Sequence, residues 1–315
     1  MALFSSMFVL ALIYSTPIII AATGGLYSER SGVTNVGIEG IMVMGAFTAA
    51  TVLPLTENQL GVWAPWLAIL CGAIVGMLYS TLHAFISIDL AGDQTISGTA
   101  LNMLSVGLTV YLCQIIFHQQ RTVAFKRGFV KTDVPGLSRI PVLGELFFSR
   151  IYVTFYLAVL IVLLTYLILW KTPFGLRLRA AGENPEAVDS LGISVRRLRY
   201  TGVLSSGLLA GLAGGIMVLT QATQFSASSV HGVGFIALAA LIFGRWNPWG
   251  VFGAGFFFGF SQIFGIFSRD IPIFEKIPQE VFLAMPYALT VLAMVLFSRR
   301  SSAPKADGVP YKAVH

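Results

Sequence analysis

The chain has 315 residues, 56% of them hydrophobic and only 11% charged, with a formal net charge of +6 and a mean hydropathy of +0.80. Soluble domains carry charge on about a quarter of their residues, so this composition excludes a soluble globular protein and points to an integral membrane protein. The basic excess is no sign of nucleic-acid binding, because lysine and arginine cluster at the ends of apolar runs.

A membrane-crossing helix needs about 20 mostly apolar residues. Nine stretches meet or approach that length: 4–26, 33–56, 62–87, 98–118, 151–170, 200–220, 232–245, 249–268 and 279–298. The predicted fold is all-α: a polytopic membrane domain of about nine transmembrane helices over residues 1–300, followed by a tail at 301–315. Met1–Ser28 lacks a basic leading region and its apolar run outlasts a signal-peptide core, so it reads as a first span that stays in place.

The second span opens on Val33-Thr34-Asn35-Val36-Gly37-Ile38-Glu39-Gly40. A carboxylate such as Glu39 inside an apolar segment is costly and faces a polar cavity or a partner group. Asn35 and Glu39 are four apart and share a helical face, while Gly37 and Gly40 weaken the helix locally. Two roles fit Glu39: lining a transport path, or acting as a hydrogen-bond post between the first two spans. A second polar cluster, Asp93 to Asn102, opens the fourth span. An unpaired amide at Asn102 would cost several kcal/mol in lipid, so Gln94 and Asn102 either line a path or brace another helix. Residues 119–150 form the main external loop, rich in Pro and Gly and carrying Arg121, Lys126, Arg127 and Lys131.

The stretch 171–199 is the long charged interruption, with six basic and three acidic residues. Asn184 suits a helix N-cap, Pro185 the first helical position, Glu186 the positive end of the dipole, and Gly192 a stop. These signals predict a short helix from about Pro185 to Leu191 that presents Ala187, Val188 and Leu191 to a groove.

Residues 200–244 are free of charge but too long for one crossing, and Thr220–Ser226 divides them. The second part, Gly232 to Gly244, is short for a full span and reads as tilted or partly re-entrant. Gln221, Gln224 and Phe225 set amides beside an aromatic ring, which suits a ring-bearing polar solute or an ordinary external turn. Gly207-xxx-Gly211-xxx-Gly215, Gly72-xxx-Gly76 and Gly255-xxx-Gly259 predict close helix–helix contacts. With 171–199 in the cytoplasm, twelve basic residues fall inside and eight outside. That puts the N-terminus outside and the C-terminus inside.

No phosphate-binding GxxxxGK[ST], HExxH or paired Cys/His pattern occurs, and His83, His118, His231 and His315 are scattered. Cys71 and Cys113 lie in apolar runs and read as packing residues. An enzyme acting alone, a metal site and a cofactor bound by this chain are therefore not expected.

Three stretches carry a family resemblance: Leu26 to Gly40 (LYSERSGVTNVGIEG), Asp93 to Asn102 (DQTISGTALN) and Thr172 to Glu186 (TPFGLRLRAAGENPE). The sequence resembles permease subunits of ATP-binding cassette importers of the ribose/galactose and branched-chain amino acid group. It looks most like the branch that handles nucleosides with a basic-membrane-lipoprotein type of binding protein. Glu186 to Gly192 matches the importer EAA-then-Gly loop, with Val188 in place of its second Ala. The resemblance implies a bacterial cell-membrane protein paired with a second permease, a paralogue in this branch. It implies a cytoplasmic ATPase, which holds ATP and Mg, docking on Glu183, Asn184, Pro185, Glu186, Ala187, Val188, Leu191 and Gly192. An external solute-binding lipoprotein would meet Arg121, Lys126, Arg127 and Lys131. The solute path would draw on Asn35, Glu39, Gln94, Asn102, Gln221, Gln224 and Phe225. Simple sugars are the alternative solute. A proton- or ion-coupled transporter using Glu39, and a scaffold with no solute path, are the rivals of other classes.

Overall fold

The computed structural model describes residues 2–136, 138, 140, 143–268, 281–282, 284–285, 288 and 303–311. Most of the predicted ninth span, 279–298, lies outside these residues, as do Arg139, Arg269, Lys276, Arg299, Arg300 and Lys312 of the charge count.

The chain is a helical bundle. In order, it forms α1 (Ala2–Arg30), α2 (Ile38–Leu60), α3 (Ala64–Ala84), α4 (Gln94–Phe117), the short α5 (Leu143–Phe147), α6 (Val153–Lys171), α7 (Pro173–Glu183), α8 (Pro185–Ser190), α9 (Val195–Gln221), α10 (Val233–Phe243) and α11 (Pro248–Phe267). One antiparallel pair of two-residue strands, β1 (Lys131–Thr132) and β2 (Ile151–Tyr152), closes the long loop. Six helical segments among the described residues are long and apolar enough to cross a membrane, and the longest, Ile38–Asp89, is folded at Gly61 into the hairpin α2–α3. At about 1.5 Å per residue the eleven residues of α10 reach only ~16 Å, roughly half of the ~30 Å hydrocarbon core. Helix α10 is therefore too short to cross the hydrocarbon core on its own.

Glycine sets the centre of the bundle. The Gly72/Gly76 pair of α3 faces Gly207/Gly211 of α9: a Cβ at Gly76 would stand 2.6 Å from the Gly207 carbonyl oxygen, and one at Gly72 would stand 2.7 Å from that of Gly45 in α2. Gly255 and Gly259 of α11 press in the same way on Ile19 and Ser15 of α1. These contacts bring backbones together where no hydrophobic force separates helix from lipid. Gly215, the third member of the α9 series, is looser, with its nearest neighbour at 3.2 Å.

Helices α1 and α9 run antiparallel: Tyr27, with Ser31 just beyond α1, meets Gly202, and Ile13 meets Gln221. The α7–α8 loop and residues 303–311 thus lie at one end of the bundle, and residues 119–152 with the start of α1 lie at the other.

One boundary differs from the sequence expectation in an informative way. The second span is helical only from Ile38, not from Val33, because Gly32 takes φ 88° and residues 33–35 run non-helically. Conversely α4 and α9 start earlier than predicted, where Asp93 and Ser194 cap them by accepting from the Ile96 and Arg197 N–H groups.

Candidate functional site

Residues 31–37 descend into the bundle beside the first turns of α4, so that Gly37 abuts Gly98 and Gly40 abuts Asn102. Helix α2 therefore begins roughly 6–9 Å beyond the start of α4. Non-helical backbone at that depth survives only if protein satisfies its polar groups, and side chains from distant helices do so here. The Thr34 N–H donates to Gln94 Oε1 at 2.7 Å. The Thr34 carbonyl lies 3.0 Å from His83 Nε2, which must carry the ring proton; His83 Nδ1 then accepts from Ser97 at 3.0 Å. The Val33 carbonyl accepts from the Ser28 hydroxyl at 2.6 Å. Asn102 braces the helix start with both ends of its amide, donating to the Val36 carbonyl at 3.0 Å and accepting from the Gly40 N–H at 2.7 Å. Asn35, fully buried, donates to Ser206 of α9 at 3.0 Å.

Glu39 sits in the first turn of α2 and reaches the start of α10. Its two oxygens accept from the Gly232 and Gly234 N–H groups, each at 2.6 Å. A carboxylate suits that position, where unpaired N–H groups and the positive dipole end of a helix converge. Both glycines are required: Gly232 has φ 85°, and a Cβ on Gly234 would come within 2.5 Å of Glu39 Cα. Glu39 stays half-buried, so it remains accessible while it caps α10.

The predicted path residues thus separate into two groups. Asn35, Gln94 and Phe225 are buried and point into the protein; Phe225 packs edge-on against Phe47 with ring centroids 5.7 Å apart. Glu39, Asn102, Gln221 and Gln224 are part-exposed. Gln221 also has a structural task. Pro17 in α1 cannot donate to the Ile13 carbonyl, and Gln221 Nε2 approaches that oxygen at 3.4 Å. Gln221 and Val233 line a cavity of about 200 Å³ with Tyr14, Pro17, Met217, Gln262 and Ile266.

At the other end, α7 and α8 fold as a helical pair. Asn184 caps α8 by accepting from the Ala187 N–H at 3.1 Å, and Gly192 at φ 74° closes it, as the sequence predicts. Val188 is turned inward against Ala181, Val195 and Leu198 and is only 4% exposed. That corrects the predicted apolar face. A helix this short packs one residue down to hold itself, leaving Glu186, Ala187, Ser190 and Leu191 outward, with Leu191 76% exposed. Glu183, Asn184 and Gly192 are exposed beside them and Pro185 is half-buried.

Apolar helices of membrane-crossing length thus surround a braced break and carry a capped, exposed helix at one end. The profile of the family described as the permease component of branched-chain amino acid transport systems matches residues 7–294. The chain belongs to this family. It is similar to the guanosine ABC transporter permease protein NupQ of Bacillus subtilis (strain 168), 47% identical over 300 residues that cover 95% of this chain and 94% of that one. It is also similar to the nucleoside ABC transporter permease protein NupC of Lactococcus lactis subsp. cremoris (strain MG1363), 43% identical over the same shares of the two chains. The putative glucose ABC transporter permease protein TsgC13 of Haloferax volcanii is 33% identical over 82% of this chain and 76% of its own. The protein is thus a multi-pass membrane permease and a non-catalytic transport component.

In the permease, Arg121, Lys126, Arg127 and Lys131 are all exposed on the long loop. Their backbone is fixed: Glu57 Oε2 accepts from the Lys126 and Arg127 N–H groups at 3.1 and 3.2 Å, and Arg121 bridges to Ser226. A crevice of about 630 Å³ opens there between Phe125–Phe129 and Leu219–Ser229, and Gln224 lines it. Among the described residues, no group of three or more His, Cys, Asp or Glu stands close enough to hold a metal ion.

The tail carries contacts that the sequence does not announce. The Ala306 N–H donates to the Gly182 carbonyl at 2.8 Å, Thr34 donates to Asp307 at 3.1 Å, Arg199 donates to the Val309 carbonyl at 3.1 Å, and Tyr311 donates to Asp189 at 3.0 Å. It therefore ties α7, α8 and α9 to the break beside Asn35. Burial raises the Asp307 carboxyl to about 6, against the lowering pull of Thr34, the Gly308 N–H and Arg199. A carboxyl raised on docking is docked most firmly below its free value and loosens as pH climbs through its docked one. A spin label carried on Val309→Cys, whose side chain is exposed, should therefore become less mobile between pH 7.5 and pH 5, and Asp307→Asn should remove that change. A label that grows more mobile as the pH falls would show the opposite linkage.

Proposed function

We propose that this permease forms the membrane path for nucleosides in an ATP-driven importer of the bacterial cell membrane. The observation that carries the proposal is similarity over nearly the whole chain, at 47% and 43%, to permeases named for guanosine and nucleosides. The glucose-named relative is more distant, at 33%, which keeps simple sugars as the second solute class. In this reading α8 and its exposed neighbours Glu183, Glu186, Ala187 and Leu191 receive a cytoplasmic ATPase, which holds ATP and Mg; this chain binds neither. The N-terminus lies outside and the 303–311 tail in the cytoplasm, in accord with the basic charge of the 171–199 loop. An external solute-binding lipoprotein docks over the crevice edged by Lys126, with Arg121, Arg127 and Lys131 steering it by charge.

A part-exposed carboxylate at membrane depth is not left facing lipid. The face carrying Glu39, Asn102 and exposed His231 therefore turns towards a second permease subunit, a paralogue in the nucleoside branch, and the solute passes between the two. Uptake of a labelled nucleoside, competed with unlabelled nucleosides and with ribose and glucose, tests the proposal. Competition by several nucleosides and not by free sugars is the expected result. Displacement by glucose and not by nucleosides would overturn it in favour of sugars.

A further inference from the structure

We propose that Arg30 is the positioning residue that carries movement of the α7–α8 loop to α10, and so to Glu39. The inference rests on the reading that α8 receives the ATPase. Arg30 is the last residue of α1, and its guanidinium joins three elements. Nε and Nη2 donate to the Trp246 carbonyl at 3.1 and 2.9 Å, just beyond the end of α10. Nη1 stands 3.8 Å from Glu183 Oε1 at the end of α7, and the group lies 5.7 Å over the Trp170 ring at the end of α6. The neighbouring Glu29 accepts from the Trp246 indole N–H at 2.5 Å, so Trp246 is gripped through both backbone and ring. Backbone contact reinforces the link to the loop, because a Cβ on Gly182 would overlap the Arg30 carbonyl oxygen.

The grip holds a strained turn. Arg245 and Trp246 take φ of 53° and 51° between α10 and α11, a left-handed conformation that costs a side-chain-bearing residue energy unless its surroundings enforce it. Beyond the turn, α10 is a single short helix whose other end is fixed to Glu39. A displacement of α7 therefore has a rigid route to the membrane interior: Glu183 and Gly182 to Arg30, Arg30 to Trp246, and α10 to Glu39. A planar fork with donors on separate nitrogens serves this geometry, which the single nitrogen of a lysine ammonium does not reproduce.

The test uses the assembled transporter, with its ATPase and binding protein, in proteoliposomes. A Phe235→Cys substitution places a reporter on the exposed face of α10, with Cys71 and Cys113 replaced by serine, and its labelling rate is compared with and without ATP. The expected result is an ATP-dependent change in labelling in the parent that is lost in Arg30→Gln and in Arg30→Lys, while ATP hydrolysis continues and uptake per ATP falls. Glu183→Gln keeps the test valid if Arg30→Gln fails to assemble: because Glu183 also borders the docking surface, ATPase recovery is measured beside it, and with recovery equal to the parent it should weaken the same response. An unchanged ATP-dependent response in these variants would overturn the role of Arg30 alone. No response in the parent would overturn the coupling reading with it.

Discussion

Replacing Glu39 with alanine should abolish uptake and sharply lower the thermal stability of the purified permease. The substitution leaves the Gly232 and Gly234 N–H groups without their acceptor, and Gly234, unlike half-exposed Gly232, is buried away from water. At about 1–3 kcal/mol for an orphaned buried donor, the loss is enough to loosen the start of α10. Glutamine keeps one acceptor oxygen but turns an NH₂ group towards the other N–H, so Glu39→Gln should fold, unfold at lower temperature than the parent, and transport poorly. Aspartate is one methylene shorter and should reach only one of the two donors. Melting followed by size-exclusion fluorescence, with uptake measured alongside, decides the matter. Parent-like melting and uptake in Glu39→Ala would show that the carboxylate does not hold α10.

Replacing Ala187 with arginine should have the opposite signature, a normal fold with lost transport. Ala187 is exposed on α8, and surface changes of this kind usually alter stability by no more than about 0.5 kcal/mol. On the docking face, however, a long charged side chain would displace the ATPase. Disruption at the centre of an interface costs about 2–4 kcal/mol, or roughly 30- to 1,000-fold in affinity. Val188→Asp supplies the contrast. Val188 is buried against Val195 and Leu198, so its replacement should unseat α8 and lower stability as well as docking. Pull-down of the ATPase with each variant, beside its melting temperature, separates the two. Full ATPase recovery with Ala187→Arg would remove α8 from the docking surface.

Much of this architecture is written locally in the chain. Apolar length marks the crossings, and Asn184-Pro185 with Gly192 brackets α8 because capping is decided within a few residues. The half-length of α10 shows in the Thr220–Ser226 interruption and in the brevity of the apolar run Val233–Phe243 before Gly244. What local pattern does not hold is the partner of each polar side chain. Glu39 meets residues 232 and 234, Asn35 meets Ser206, and Asn102 meets Val36 and Gly40. Those pairings depend on which helices become neighbours, and the glycine contacts of α2, α3 and α9 decide that. The inward turn of Val188 and the docking of residues 303–311 are likewise tertiary. One signal was available: Glu29-Arg30 is a charged pair closing an apolar run, and charge placed there needs partners. Trp246 and Glu183 are those partners.

ATP-driven import by this permease is best measured as uptake of a labelled nucleoside into proteoliposomes that also hold its partner permease, the ATPase and the binding protein. The nucleoside should accumulate only with ATP and the ATPase subunit, and should still accumulate when a protonophore collapses the proton gradient. Accumulation without ATP or ATPase, abolished by the protonophore, would make the permease a proton-coupled transporter instead.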